Sequence, residues 1–319
     1  MISVNTEMTD AAVSSVGNCS ASGRDAAQGH QARWQDGILL GVLPLAALMV
    51  LEQIPAWAFM WAMALAIFFG CKWLTWRRVW RSGSSTGLGL SLAYFFAWPG
   101  MDAAAFSQDK NCAETTSYSD WLFTVIKTIA GAVLVWLAVR GAFGSANLLT
   151  GWLGMIGLVL LLHFGLFHLL ALAWRRGGVS VRPIMRAPLA ATSLADFWSA
   201  RWNTAFNGLA HKLVFRPLAH RFGVGCATWG VFLSSGLIHE LVISLPARGG
   251  YGLPTAYFIF QSVGVLAERS LWRRRAGLGR GLRGWLFTAT FAAAPAFWLF
   301  HPPFVHNVIL PMLRAFGAS

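Results

Sequence analysis

Acidic residues are scarce. Twelve Asp and Glu stand against 25 Lys and Arg in 319 residues, and the four charged types together make up only 12% of the chain. A soluble domain carries about twice that share, so neither a water-facing globular enzyme nor a disordered chain fits. Cysteine is also sparse. Cys19, Cys71, Cys112 and Cys226 lie far apart without a CxxC pair, which excludes a zinc knuckle or a thioredoxin-type motif, and no disulfide is expected. No period of about 20 to 50 residues recurs, so a solenoid or an obvious inverted-repeat transporter is unsupported.

What fills the chain is apolar: 56% hydrophobic residues, 17 Trp, 23 Phe and a mean hydropathy of +0.55. The bilayer is the expected solvent. The formal charge of +13 would suggest nucleic acid in a cytosolic protein, but here the positives must first be tested as membrane-flanking anchors. Residues 1–36 are rich in Ser, Ala, Gly and Asp and precede any apolar run, which predicts a mobile polar tail rather than a cleaved signal peptide. Residues 37–319 are expected to form a membrane-embedded domain.

At about 20 apolar residues per spanning helix, spans are expected near 37–51, 55–74, 121–142, 147–174, 222–246, 251–268 and 284–304. Segment 86–100 is apolar but short, and Trp98-Pro99-Gly100 breaks it, so it is an eighth span or a re-entrant piece. Eighteen of the 25 positive residues fall in four loops, at 72–81, 175–186, 201–221 and 269–283. If 86–100 does not span, all four clusters share one side. The preferred arrangement is therefore an all-α integral membrane protein with seven full spans and a cytoplasmic N-terminus. The basic clusters are juxtamembrane and accounted for by topology, so no nucleic-acid partner is expected.

Region 187–221 is too polar to span, yet Leu194, Trp198, Trp202, Ala205, Phe206, Leu209 and Leu213 recur at helical spacing. Ser193 followed by Asp196 has the form of a capping box, which marks a helix start. An amphipathic helix at the cytoplasmic interface is expected. Asp196, Ser199, Asn203 and Asn207 form a polar stripe on it, facing either a substrate path or solvent.

An ionisable group inside a span costs several kcal/mol unless paired. The candidates are Lys127, His163, His168, His239, Glu240 and Glu268. Lys127 and Glu268 lie near span ends, where snorkelling gives them structural roles. His239 lies deep in its span, with Ser235 and Gly236 one turn earlier leaving room for a substrate or a neighbouring helix. A lone intramembrane His often makes only a packing hydrogen bond. Glu240 beside it shifts the balance toward chemistry, because a carboxylate can orient an imidazole for base catalysis. A zinc protease needs a second His four residues on, where Ile243 stands, so no metal site is expected. A serine elbow needs Gly two residues before the nucleophile, where Leu233 stands. His163 and His168 diverge by about 140° on one helix, too far for one metal. A haem-bearing oxidoreductase using the three His residues, or a transporter relaying protons through His239 and Glu240, stays open as an alternative.

The segments TSLADFWSARWN, FRPL and WGVFLSSGLIHEL, in that order between Pro188 and Leu241, resemble the wax synthase branch of the membrane-bound O-acyltransferase superfamily. Trp98-Pro99-Gly100-Met101-Asp102 is similar to an upstream segment of the same branch. The close match covers about 55 residues. The resemblance implies a multi-pass enzyme, of a bacterial inner membrane or the endoplasmic reticulum, that moves an acyl group from acyl-CoA to the hydroxyl of a lipid or other acceptor, with a fatty alcohol, a glyceride, a sterol and a sugar all open and no resident cofactor expected. It implies that His239 is the base and that Asn203 is its polar partner, either donating to the thioester oxygen or oxyanion or holding the imidazole. Glu240 and Ser235 are expected to support the site. Trp198, Trp202, Arg201 and Lys212 are expected to bind substrate, the two cations through CoA phosphates. The two reactants are expected to meet His239 in an intramembrane tunnel that excludes water.

Overall fold

The computed structural model describes residues 34–83, 87–106, 116–140, 148–269 and 279–317, and the regular elements among them are all helical. α1 is Ile38–Leu48, α2 Ala56–Arg81, α3 Leu88–Phe96, α4 Tyr118–Val139 and α5 Leu148–Arg176, the last widened to a π-helix at Leu160–Leu166. α6 covers 194–201, α7 204–222 and α8 224–247. They are followed by α9 (Leu253–Arg269), α10 (Gly281–Ala293), the short α11 (Ala296–Leu299) and α12 at 302–315.

Four runs, Ala56–Arg81, Tyr118–Val139, Leu148–Arg176 and Thr204–Ala247, are long and apolar enough to cross a bilayer. Seven or eight full spans are not matched by helix length. α1, with 11 residues, rises only about 16 Å, against a hydrocarbon core of about 30 Å. α3 has nine residues and ends before Trp98-Pro99, so 86–100 is not a straight eighth span. The span expected at 284–304 is cut at Pro295 and at Pro302-Pro303, where the missing N–H and the restricted preceding residue stop a helix. α12 then turns inward and buries Val305, Val308 and Leu313.

α4 and α5 approach closely because Gly131 and Gly157 face the partner backbone; a Cβ on Gly157 would lie 2.9 Å from the Val135 nitrogen. Small residues allow such contact where lipid offers no hydrophobic drive for helix association. The outer face of α4 exposes Leu122, Ile126, Ile129, Val133 and Trp136 at helical spacing. Water would penalise such a stripe and lipid accepts it.

Lys72, read from sequence as a loop charge, is fully buried inside α2. Its ammonium donates to the Tyr94 carbonyl (2.7 Å) and the Trp98 carbonyl (2.5 Å) and lies over the Tyr94 ring. It thereby satisfies acceptors that the end of α3 leaves without helical donors and ties the Trp98-Pro99-Gly100 turn to α2. Asp36, the last residue of the polar N-terminal stretch, is buried against Arg81, with an N–O distance of 2.7 Å.

The continuous interfacial helix expected over 194–213 is broken. Trp202 is extended and Asn203 is left-handed (φ 43°, ψ 57°), so α6 and α7 are separate and Asp196, Ser199, Asn203 and Asn207 do not form one stripe. The break frees carbonyls at the end of α6, and the Asn207 amide donates to those of Ser199 (3.1 Å) and Trp202 (3.4 Å). A second break follows at Gly223 (φ 82°, ψ 169°), a conformation that favours glycine. Leu218 and Gly230 would stand about 18 Å apart on a straight helix. Instead Gly230 lies against the Leu218 side chain, so α7 and α8 fold back on each other.

Candidate active site around His239

His239 closes the regular part of α8, and a π-helical turn, Glu240–Ser244, begins directly after it. Its Nδ1 lies 2.7 Å from the Ser235 carbonyl oxygen. A carbonyl can only accept, so Nδ1 carries the proton, and in the neutral ring the lone pair is on Nε2. No hydrogen bond to Nε2 is formed among the described residues, and the side chain is half-buried. Ser235 thus serves the imidazole through its backbone.

α9 forms the facing wall. A Cβ on Gly236 would lie 2.8 Å from the Thr255 Cα, so the small residue admits a neighbouring helix. Phe258 then packs on the imidazole with ring centroids 4.5 Å apart. Trp198 of α6 meets Phe258 (5.7 Å), Phe232 (5.9 Å) and Tyr257 (6.4 Å), and its indole N–H donates to Gln261 Oε1 (3.2 Å). Phe197 meets Trp198 edge-on, and Trp202 stacks on Phe197 at 5.5 Å with planes 16° apart. A run of rings therefore leads from the Asn203 break to the imidazole. Trp198 and Trp202 are both members of this wall.

Two carboxylates hold the wall from opposite ends. Glu240 does not hydrogen-bond His239, because adjacent residues on a helix diverge by about 100°. Its Oε1 accepts from Gly252 N–H (3.1 Å), Thr255 N–H (3.0 Å) and the Thr255 hydroxyl (2.8 Å), capping the start of α9. Glu268, at the far end of α9, is buried and does not snorkel. Its two oxygens accept from Leu194 N–H (2.7 Å) and Ala195 N–H (3.1 Å), and Ser193 Oγ accepts from Asp196 N–H (3.0 Å), so the expected α6 start is capped from both sides.

Asn203 is set by the break, and Asn is among the few non-glycine residues that adopt left-handed backbone readily. Its N–H donates to Met185 Sδ (3.3 Å), while its half-buried side-chain amide makes no hydrogen bond among the described residues. Arg201 pairs with Asp196 and donates to the Ala187 carbonyl (3.1 Å), which commits its guanidinium to the protein. Lys212 is exposed on α7, beyond the break that separates it from Arg201.

Phe258, Tyr257 and Gln261 escaped the sequence reading because 251–268 scans as an ordinary apolar span. The available signal was Gln261, a fully buried amide that joins Trp198 to the Phe291 carbonyl (2.7 Å).

Residues 181–260, which contain Asn203, His239 and the wall between them, match the sequence model of the family described as "Membrane bound O-acyl transferase family". The chain is 29% identical over 146 residues to "Probable long-chain-alcohol O-fatty-acyltransferase 7" of Arabidopsis thaliana, covering 41% of this chain and 42% of that protein. It is 28% identical over 156 residues to "Acyl-CoA--sterol O-acyltransferase 1" of the same plant, covering 44% of each. It is 28% identical over 142 residues to "Long-chain-alcohol O-fatty-acyltransferase" of Simmondsia chinensis, covering 41% of this chain and 40% of that protein. The chain thus spans less than half the length of each of these three relatives. Both comparisons support the resemblance to the wax synthase branch that the motif segments carry.

Proposed function

We propose that the protein is a multi-pass membrane O-acyltransferase that moves an acyl group from acyl-CoA to the hydroxyl of a lipid alcohol. The observation that carries this reading is the orientation of His239: its proton is committed to a carbonyl and its basic nitrogen is left available within an apolar helix packed with rings. Residues of the family match surround it, and relatives named for acyl transfer to long-chain alcohols or a sterol resemble part of the chain.

In this reading Nε2 takes the acceptor O–H proton as the oxygen attacks the thioester carbon, and the tetrahedral intermediate collapses with loss of the CoA thiolate. General-base assistance of this kind contributes about 10²- to 10⁴-fold. The Ser235 carbonyl stabilises the imidazolium by accepting its Nδ1–H. The Asn203 amide donates to the developing oxyanion or steadies the substrate beside it. Reaction in an intramembrane tunnel keeps water, the competing nucleophile, away from the thioester. No resident cofactor takes part; acyl-CoA enters as a co-substrate.

The test is to supply membranes containing the protein with labelled acyl-CoA and a panel of fatty alcohols, sterols and glycerides. Label should enter an ester of at least one of them. Release of free fatty acid alone, or no turnover with any acceptor, would contradict the proposal.

A further inference from the structure

The segment 179–187, between α5 and α6, is neither helix nor strand, yet it is pinned along its length. Val179 N–H donates to the Trp174 carbonyl (2.9 Å) and Thr204 N–H to the Ile184 carbonyl (2.9 Å). Arg186 N–H donates to the Arg201 carbonyl (2.9 Å), and the Arg201 guanidinium returns to the Ala187 carbonyl (3.1 Å). Ala187 is thereby held at φ 46°, a conformation that costs a non-glycine residue roughly 1 kcal/mol or more and persists only when its surroundings fix it.

This strap walls a cavity of about 460 Å³, within the usual range of about 300–1,000 Å³ for ligand sites. The last turns of α5 and the first turn of α4 supply the other sides. Arg182 and Arg186 line it from the strap, Arg175 and His168 from α5, and Met185 adds apolar surface. Among the described residues Asp120 is the sole acidic lining residue, and its carboxylate already accepts from Ser117 N–H (3.2 Å) in the α4 capping box. Topology explains why these arginines lie at one end of the helices. It does not explain why they converge on a concave space, since side chains that only snorkel to headgroups would splay outward.

Three guanidinium groups on two independently anchored elements suit a phosphate, whose oxygens match the planar donor fork. The cavity lies where two span-length helices end, at headgroup depth. The exposed apolar stripe of α4 begins beside it with Leu122 and Ile126, a surface for an acyl tail. We propose that Arg175, Arg182 and Arg186 form a binding site for the phosphate of an amphiphile, with its tail along α4. The phosphate comes from an anionic phospholipid or from the CoA portion of a fatty acyl thioester. The site stands independently of the acyl-transfer reading, and its test reads binding rather than turnover.

The full chain is reconstituted in phosphatidylcholine nanodiscs and titrated with two probes, spin-labelled phosphatidylglycerol and palmitoyl-CoA, in wild type and in Arg182→Gln/Arg186→Gln. The variant should bind at least one probe about tenfold more weakly while keeping its thermal midpoint. Loss for phosphatidylglycerol alone assigns a lipid site, loss for palmitoyl-CoA alone assigns a donor site, and loss for both assigns a site that either occupies. Unchanged binding of both probes by the folded variant overturns the proposal. Should the double variant fail to fold, Arg182→Gln, whose side chain is exposed and forms no hydrogen bond among the described residues, is read by the same criteria.

Discussion

The wall around His239 and the cavity at the α4–α5 end place polar groups in an apolar chain by opposite means. In the wall, Glu240 Oε1, Glu268, Gln261 and the Nδ1–H of His239 are each spent on a protein partner, while His239 Nε2 and Glu240 Oε2 have none among the described residues. At the cavity, the backbone is what is satisfied, while Arg182 and Arg186 line the space with exposed side chains. A polar network whose groups are mostly paired makes geometry rigid around the reactive imidazole. A satisfied backbone carrying exposed cations makes a receptor for charge. In the proposed reading, proton transfer falls to the first region and ligand docking to the second.

The comparison breaks most severely if His239→Ala leaves turnover intact. The expected loss is about 10²- to 10⁴-fold, with the thermal midpoint retained, measured as label transferred from acyl-CoA to an alcohol by detergent-solubilised protein. Asn203 needs two variants, because its backbone and its amide have separate uses. Asn203→Gly keeps the left-handed turn and removes the amide, whereas Asn203→Ala strains the turn as well. An oxyanion donor predicts about a 10²-fold loss of turnover in both; full activity in Asn203→Gly would reduce the residue to a backbone role. Glu268→Ala, which strips two buried N–H groups of their acceptor at the start of α6, should cost about 3 kcal/mol of unfolding free energy in a denaturant titration. The smallest effect is expected of Asn207→Ala, about 1 kcal/mol in the same titration, since water at the half-exposed break can replace the amide donor.

The sequence carried the all-helical class, because mean hydropathy and 3.6-residue periodicity are local properties. It also carried the α6 start, because Ser193 and Asp196 encode a cap by spacing alone. The break at Trp202-Asn203 was not legible. The amphipathic period runs through it, and what stops the helix is a long-range contact, the Ile184 carbonyl accepting from Thr204 N–H. Glu240 and Glu268 were visible as buried charges, but their partners are backbone N–H groups 12 to 15 and 73 to 74 residues away, which residue identity does not reveal. Lys72 was misread for the same reason. Its acceptors are carbonyls at the end of another helix, so nothing in its own neighbourhood distinguished it from the arginines that follow. His239 was legible because one imidazole in an apolar run needs an explanation, whereas Phe258, which packs on it, is one of 23 phenylalanines.

The most direct measurement is the nitrogen-15 spectrum of labelled histidine in nanodisc-embedded protein, with the His239 signals assigned by comparison with His239→Gln. A hydrogen-bonded, protonated Nδ1 and a bare Nε2 in the resting state are expected. A proton resting on Nε2, with Nδ1 bare, would leave no base facing the acceptor hydroxyl and would contradict the mechanism.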